Sequence, residues 1–209
     1  MNLNLVQIKS QLSQSWHSMP ETTEKISSVI VPIFESQDLG QGLILTQRSK
    51  HLKSHPGQIS FPGGVVDPED KDLLQCALRE WEEEMGVSRD LLEILGKHTG
   101  MQTRTGFHIT PFLGRYQGDF NFSHNIDEVE KIIILPLSKL IHAPFYSLKI
   151  PKPGIEDKAY YFDLDEGLLW GATCEIILRF LKDYASFDRN PIPVAPNLNF
   201  PPFFDPKLI

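Results

Sequence analysis

Residues 67–86, DPEDKDLLQCALREWEEEMG, carry the pattern of a single amphipathic helix with an acidic end. Asp and Pro residues at the start and Gly86 at the end are typical helix boundary signals. At 100° per residue, one side of this helix collects the apolar residues Leu74, Ala77, Leu78, Trp81 and Met85. We therefore expect that side to face a core and Trp81 to anchor the helix there.

The glutamates of this helix form a second group. Glu80, Glu83 and Glu84 have i,i+3 and i,i+4 spacing, which predicts one acidic face away from the core, while Glu82 points to solvent. Like charges at this spacing destabilise a helix by about 0.2–0.5 kcal/mol per pair. Either the face is solvated, or a cation neutralises it. Mg²⁺ and Mn²⁺ fit carboxylate oxygens better than zinc does.

Segments rich in β-forming residues surround this helix and predict an α/β or α+β fold. Residues 27–34 and 41–48 predict two strands joined by a loop, and residues 54–64 predict a loop that contains a short strand. The remaining candidates are strands in 91–99, 108–116 and 130–141, the last ending in a helical turn, and a second main helix in 168–187, which includes Leu169.

The two ends of the sequence differ in pattern from the middle. Residues 1–24 predict a helical extension, because Leu3, Leu5, Ile8, Leu12 and Trp16 recur at helical spacing. Residues 25–185 form the predicted main domain. Residues 186–209 are rich in proline, which excludes a regular helix, and contain phenylalanines that predict packing on the domain or on a partner.

Charge and cysteine content narrow the class of protein. The 209-residue chain has a net charge of −7, which favours neither nucleic acid nor an anionic membrane as a partner. Cys76 and Cys174 are too few for a disulfide framework. Without a secretion signal or a membrane-spanning run in the sequence, we expect a cytoplasmic protein.

The acidic helix resembles the motif of the Nudix hydrolases. Arg79, Glu80, Glu83, Glu84 and Gly86 follow the family pattern Arg-Glu-x-x-Glu-Glu-x-Gly, with FPGG upstream. The resemblance implies an α/β/α sandwich with a mixed sheet and a loop–helix–loop catalytic motif. It also implies cleavage of a nucleoside diphosphate that is linked to another group. The catalytic residues that it implies are the arginine and the three glutamates, and the glutamates would also be the ligands of Mg²⁺ or Mn²⁺.

The chain departs from the family spacing in one place. Where the family has a further glutamate, counting from Gly64 gives Asp70 and counting back from Arg79 gives Lys71, so this chain has one extra residue. We expect Asp70 either to help start the helix or to form a salt link nearby. Glu128 is a candidate extra acid from an opposing loop, with a solvated loop residue as the alternative.

The longer spacing resembles the coenzyme A pyrophosphatase subgroup, as does the upstream segment 44–64, ILTQRSKHLKSHPGQISFPGG. This resemblance implies substrate contacts at Arg48, Lys53, Gly63 and Gly64. Lys53 replaces an arginine of the subgroup and lacks its bidentate fork. The neighbouring cations of the segment are Lys50, His51 and His55, and for the two histidines we expect a surface or structural role.

Three functions remain open from the sequence. The first is hydrolysis of coenzyme A, or of a derivative, to 4′-phosphopantetheine and adenosine 3′,5′-bisphosphate. The second is hydrolysis of ADP-ribose, NADH or another nucleotide. The third is a non-catalytic Nudix domain that binds a nucleotide or a partner protein. The oligomeric state, monomer or homodimer, is not determined by the sequence.

Overall fold

The computed structural model describes residues 2–15, 25–103, 105–152 and 155–194, without the side chains of 150–157. The chain divides into two compact units, residues 1–141 and 142–209. Mixed sheets combined with helices confirm the predicted α/β class. Among the described residues, no helix is long and apolar enough to cross a membrane.

The first unit is built on an eight-stranded mixed sheet. The path β3-β2-β1-β7-β5 carries three further strands, of which β4 pairs with β1, β6 with β7 and β8 with β2. β1 runs parallel to β7, and the other pairs are antiparallel. The strands are β1 Lys25–Ser36, β2 Gly40–Arg48, β3 Ile59–Ser60, β4 Gly63–Val65, β5 Leu92–Lys97, β6 Met101–Gln102, β7 Phe107–Tyr116 and β8 Val129–Pro136.

Three helices accompany this sheet: α1 Leu5–Gln11, α2 Leu73–Met85 and α3 Leu137–His142. The acidic helix predicted from the sequence is α2. The Asp72 side chain caps its first turn by accepting a hydrogen bond from the Gln75 amide, and Gly86 ends it in the left-handed conformation with φ 65°. A single 3₁₀ turn, Arg89–Leu91, leads into β5.

The apolar side of α2 packs on the sheet as predicted. Trp81 is completely buried and its ring lies 5.6 Å from that of Tyr116 on β7. The cluster around it combines α2 with β1, β2, β5 and β7 through Leu73, Ala77, Trp81, Met85, Ile30, Phe34, Ile44, Leu92, Phe112 and Tyr116. A buried hydrogen bond from Ser28 Oγ to the Leu73 carbonyl oxygen, 2.7 Å long, fixes the first turn to β1.

The second unit contains a four-stranded sheet of order β11-β10-β9-β12 and one helix. Its elements are β9 Phe145–Lys152, β10 Ile155–Leu164, β11 Gly167–Trp170, α4 Gly171–Tyr184 and β12 Ile192–Val194. The prediction that the second main helix includes Leu169 is wrong: this residue belongs to β11, and the helix starts at Gly171. β9 and β10 were not predicted, because aromatic and charged residues obscure their alternation.

The ends of the chain are described in part. Helix α1 covers only a portion of the predicted N-terminal extension, with its start capped by Asn4, and Trp16 of the predicted pattern lies outside the described residues. Residues 195–209, which include the phenylalanines of the proline-rich tail, also lie outside them. The division into residues 1–24, 25–185 and 186–209 therefore stays a prediction.

Candidate active site

Arg79 joins two of the predicted catalytic glutamates at the centre of α2. Its Nη1 donates to Glu80 Oε1 and to Glu83 Oε2, each at 2.9 Å. Burial raises the pKa of Glu80, and the arginine partly opposes that rise. The arginine thus holds the two carboxylates in place.

The other side of the Arg79 guanidinium is held by Asp70. Nε donates to Asp70 Oδ1 at 3.1 Å and Nη2 donates to Oδ2 at 3.0 Å, a bidentate pair. Burial alone would raise the pKa of Asp70, but the hydrogen bonds from Arg79 and from the Asp67 amide bring it below its ordinary value. The predicted salt link is confirmed, whereas the alternative of a helix start is wrong because Asp72 caps α2.

Glu84 occupies a different environment from its two neighbours. The expectation that it lies on a face away from the core is wrong: only 3% of the residue is exposed, whereas Glu83 is exposed. Its position three residues after Trp81 places it beside the buried tryptophan side of the helix. Glu84 also follows Glu80 by four residues, which groups it with the acidic side of the helix. Spacing alone therefore could not decide whether Glu84 lies on the acidic or on the buried side.

The Glu84 carboxylate is poorly compensated for a buried charge. Its Oε1 lies 3.9 Å from Arg48 Nη1, and Oε2 has no hydrogen-bond partner among the described residues. Burial raises the pKa of Glu84 to about 8, Arg48 opposes the rise, and the nearby carboxylates of Glu80 and Glu128 add to it. A carboxylate in this state readily takes up a cation or a proton.

Glu128 approaches the site from the loop before β8. The backbone amide of Asn125 donates to the backbone carbonyl oxygen of Glu84 at 3.0 Å. The side-chain Nδ2 of Asn125 donates to Glu128 Oε1 at 3.3 Å. The charge of Glu128 contributes to the raised pKa of both Glu80 and Glu84. Glu128 therefore belongs to the same acidic group. Sequence reasoning missed Asn125, since a loop asparagine has no distinctive spacing.

Two glycines allow the loop before α2 to come close to its neighbours. A Cβ on Gly64 would lie 2.2 Å from Glu80 Oε1. Gly63 has φ 154°, and a Cβ there would lie 2.3 Å from the Ser28 carbonyl oxygen on β1. Both positions therefore exclude a side chain: Gly64 leaves room for the Glu80 carboxylate, and Gly63 lets the loop lie against the sheet.

We expect Gly64→Ala to lower turnover by about 10²-fold, because its methyl group would displace the Glu80 carboxylate by roughly 1 Å. Steady-state kinetics on the purified variant measures this effect. Gly114→Ala is the matched control: its Cβ would meet Leu92 Cδ2 at 3.3 Å, away from the acids. Equal losses in both variants would show that the Gly64 effect is not local to Glu80.

The cationic residues of segment 44–64 are spread over its length. Arg48 lies at the acidic group through its approach to Glu84. Lys50 Nζ lies 3.7 Å from Glu130 Oε1, and Lys53 is exposed on the loop that follows. His51 and His55 are exposed, as expected of surface residues. The structure thus brings Arg48, Gly63 and Gly64 to the acids and leaves Lys53 on an outer loop.

The acidic group has the donor chemistry of a magnesium or manganese site. Carboxylate oxygens are the ligands that these ions prefer, and Glu84 Oε2 is a buried oxygen without a partner among the described side chains. In the part of the chain that the structure describes, no three His, Cys, Asp or Glu side chains are placed to hold a metal. Glu80 and Glu83 instead share Arg79, so a cation there would compete with the arginine for their oxygens.

We expect Asp70→Asn to lower the free energy of unfolding at pH 7 by about 1.5–3 kcal/mol, because a buried charge-assisted pair is lost. Since the pKa of Asp70 is depressed in the folded state, its contribution is present above the unfolded value and is lost as pH falls through the folded one. Urea unfolding at several pH values should show the wild-type advantage shrinking below about pH 4.

Glu69→Gln, a change at the exposed neighbouring residue, is the control for Asp70→Asn. It should leave the free energy of unfolding within about 0.5 kcal/mol of wild type. A difference between Asp70→Asn and wild type that stays constant from pH 7 to pH 3 would argue against the ion pair as its cause.

Comparison with known proteins identifies a domain family and a relative. The NUDIX domain matches residues 24–155. A Yersinia pestis (strain Pestoides F) protein named "Uncharacterized Nudix hydrolase NudL" is 34% identical over 156 residues, covering 74% of this chain and 77% of that protein.

Two solved structures share the fold. The NUDIX domain of Shewanella oneidensis NrtR, complexed with ADP ribose, has a TM-score of 0.52 at 18% identity and covers 79% of this chain and 93% of that one. The Nudix hydrolase RenU from M. Smegmatis has a TM-score of 0.52 at 13% identity, and the match covers 85% of this chain and 99% of that one.

Proposed function

Because this chain belongs to the Nudix family, whose hydrolases act on nucleoside diphosphate derivatives, we propose that it hydrolyses the pyrophosphate bond of coenzyme A or of a coenzyme A derivative. The products would be 4′-phosphopantetheine and adenosine 3′,5′-bisphosphate. The observation that supports hydrolysis best is the buried, poorly compensated Glu84 carboxylate beside Glu80 and Glu128.

The residues of α2 and of its neighbouring loops have different proposed roles in hydrolysis. Glu80, Glu83 and Glu84 would hold Mg²⁺ or Mn²⁺, the ions that Nudix hydrolases generally use. When bound, such an ion offsets pyrophosphate charge and makes water a better nucleophile. Arg79 orients Glu80 and Glu83. A carboxylate oxygen not committed to the cation takes the proton from water, and Glu84 Oε2 and Glu128 are the candidates.

The case for coenzyme A rests on segment 44–64. This segment matches the subgroup pattern around Arg48 and from Phe61 to Gly64, and it begins on the strand that brings Arg48 to the acids. Coenzyme A carries a 3′-phosphate besides its pyrophosphate. Lys53 is exposed on the outer loop, outside the acidic group, which suits contact with a phosphate remote from the bond that is cleaved.

We expect Lys53→Ala to raise KM for coenzyme A about fivefold to tenfold, or about 1–1.4 kcal/mol, through loss of a charge-assisted contact. The effect on KM for dephospho-coenzyme A, which lacks the 3′-phosphate, should be smaller. Lys50→Ala serves as the control, since Lys50 lies on the same loop as Lys53 but approaches Glu130 of β8. If Lys53→Ala raised KM equally for coenzyme A and for dephospho-coenzyme A, Lys53 would not contact the 3′-phosphate.

A substrate panel tests the proposed function. Coenzyme A, acetyl-coenzyme A, ADP-ribose and NADH are incubated with the purified chain and Mg²⁺ or Mn²⁺, and the products are identified by mass. We expect the highest kcat/KM for coenzyme A or its thioester. Faster cleavage of ADP-ribose or NADH would reject the coenzyme A assignment, and no cleavage of any compound would favour a non-catalytic nucleotide-binding domain.

A further inference from the structure

The turn that precedes β8 connects two parts of the proposed site through its main chain. The backbone amide of Asn125 donates to the Glu84 carbonyl oxygen, at the end of α2. The Glu128 amide donates to the Asn125 carbonyl oxygen at 3.1 Å, which closes the turn. The Glu128 carbonyl oxygen in turn accepts from the Ser49 amide at 2.8 Å. The main chain of residue 128 is therefore fixed between α2 and segment 44–64.

The side chain of Asn125 makes two hydrogen bonds of opposite kind. Its Oδ1 accepts from the Asp127 backbone amide at 3.1 Å, and its Nδ2 donates to Glu128 Oε1 at 3.3 Å. The two ends of the amide group cannot be exchanged, because a backbone N–H only donates and an ionised carboxylate only accepts. Aspartate has the same shape but no donor. The bond to Glu128 therefore requires the amide at position 125.

A hydrogen bond at Oε1 restricts the orientation of the Glu128 carboxylate. The last torsion of a glutamate side chain has a broad, roughly twofold preference, so a carboxylate without a partner rotates over a wide range. A donor at one oxygen selects one orientation and leaves the second oxygen for another contact. Glu128 lies close enough to Glu80 and Glu84 for its charge to help raise the pKa of both. Asn125 thus holds a member of the acidic group.

We propose that Asn125 is a positioning residue for the reaction. Its Nδ2 holds Glu128, one of the two candidate bases, in the orientation in which the carboxylate takes a proton from water. The water oxygen bonds to phosphorus, and the bridging P–O bond breaks with its electron pair on the leaving oxygen. This role rests on the proposed hydrolysis. It belongs to Nδ2 alone, since the turn is held by its main chain and by the Oδ1 bond to Asp127.

Asn125→Asp separates the two side-chain bonds. Aspartate keeps an oxygen for the Asp127 amide, and so keeps the turn, but it has no donor for Glu128 and places a like charge beside it. We expect kcat to fall about 10-fold to 100-fold, because a displaced base loses much of its effect. KM should stay within about threefold of wild type. Steady-state kinetics are measured on the compound of the substrate panel that the wild type cleaves best.

Asn121→Asp is the matched control for this change. Asn121 lies on the same connection between β7 and β8, is exposed, and donates from Nδ2 to Asp119 Oδ2 at 3.0 Å. The substitution therefore adds the same charge beside a carboxylate, but outside the acidic group. The kcat of this variant should stay within about twofold of wild type. An equal loss of kcat in Asn121→Asp and Asn125→Asp would assign the effect to added charge and overturn the proposal.

A double-mutant cycle with Glu128→Gln shows whether Asn125 acts through Glu128. Once residue 128 is glutamine, Asn125→Asp should change kcat by less than about threefold, because the group that it positions is already lost. If Asn125→Asp does not fold by circular dichroism, Asn125→Ser replaces it, since serine keeps an acceptor for the turn and adds no charge.

Two results of the cycle would overturn the proposal while the wild type still cleaves a compound of the panel. The first is a full loss of kcat from Asn125→Asp in the Glu128→Gln background, which would make the role of Asn125 structural. The second is near-normal kcat in Glu128→Gln itself. A wild type that cleaves no compound would instead remove the proposed hydrolysis, and the positioning role with it.

Discussion

Glu84→Gln is expected to lower kcat by about 10²–10⁴-fold, the range found when a catalytic acid or base is lost, while the chain stays folded. The amide keeps the volume of the buried side chain, but it has no negative charge to offset a cation and no basic oxygen to take a proton. Removal of a buried carboxylate near Glu80 and Glu128 also relieves like-charge repulsion, so the free energy of unfolding should be unchanged or slightly higher. Steady-state kinetics and urea unfolding measure the two effects.

Glu82→Gln is the matched control for this change. Glu82 lies on the same helix but pairs with Arg89, whose Nε donates to it at 2.8 Å, and it takes no part in the acidic group. The turnover of the Glu82→Gln variant should stay within about twofold of wild type, because substitutions at the surface usually have small effects. A folded Glu84→Gln protein with near-normal turnover would remove Glu84 from the catalytic residues.

Trp81→Ala is expected to lower the free energy of unfolding by about 3–5 kcal/mol, since it empties a completely buried site between α2 and the sheet. The loss comes from apolar contacts with the cluster that includes Phe112 and Tyr116. Chemical denaturation followed by circular dichroism measures it. Because the helix also carries the glutamates that we propose as catalytic, turnover in the surviving folded fraction should fall as well.

Trp81→Phe separates packing from hydrogen bonding at this position. The indole Nε1 has no hydrogen-bond partner among the described residues, so the phenyl ring removes volume without breaking a polar contact. The cost should therefore be well below that of Trp81→Ala. A small loss for Trp81→Ala itself would mean that α2 does not depend on this contact for its position.

The placement of α2 could be predicted from the sequence for a physical reason. The helix has boundary residues at both ends and a regular apolar side, so Trp81 and Met85 could be assigned to the core from spacing alone. The strands that flank it alternate or run continuously apolar, which made β1, β2 and β7 predictable. By contrast, β9 and β10 depend on pairing between aromatic residues distant in sequence, which no local pattern reveals.

The details of the acidic group were less predictable. Around the helix Glu84 lies about 40° from Glu80 and about 60° from Trp81, between the acidic and the apolar side. Only the packing of α2 on the sheet decides that it is buried. The extra residue before Arg79 was visible in the sequence, yet its consequence, a bidentate pair with Asp70, required the loop geometry. The approach of the Asn125 loop to Glu84 is a long-range contact and left no local signal.

The metal assignment is tested by binding of Mn²⁺ to the chain without substrate, measured from the electron paramagnetic resonance signal of the free ion. We predict that Glu80→Gln and Glu84→Gln each weaken Mn²⁺ binding by about tenfold or more, since each removes a charged ligand. Glu82→Gln should bind Mn²⁺ as wild type does. Equal affinity for Mn²⁺ in wild type, Glu80→Gln and Glu84→Gln would contradict a metal site at this end of α2.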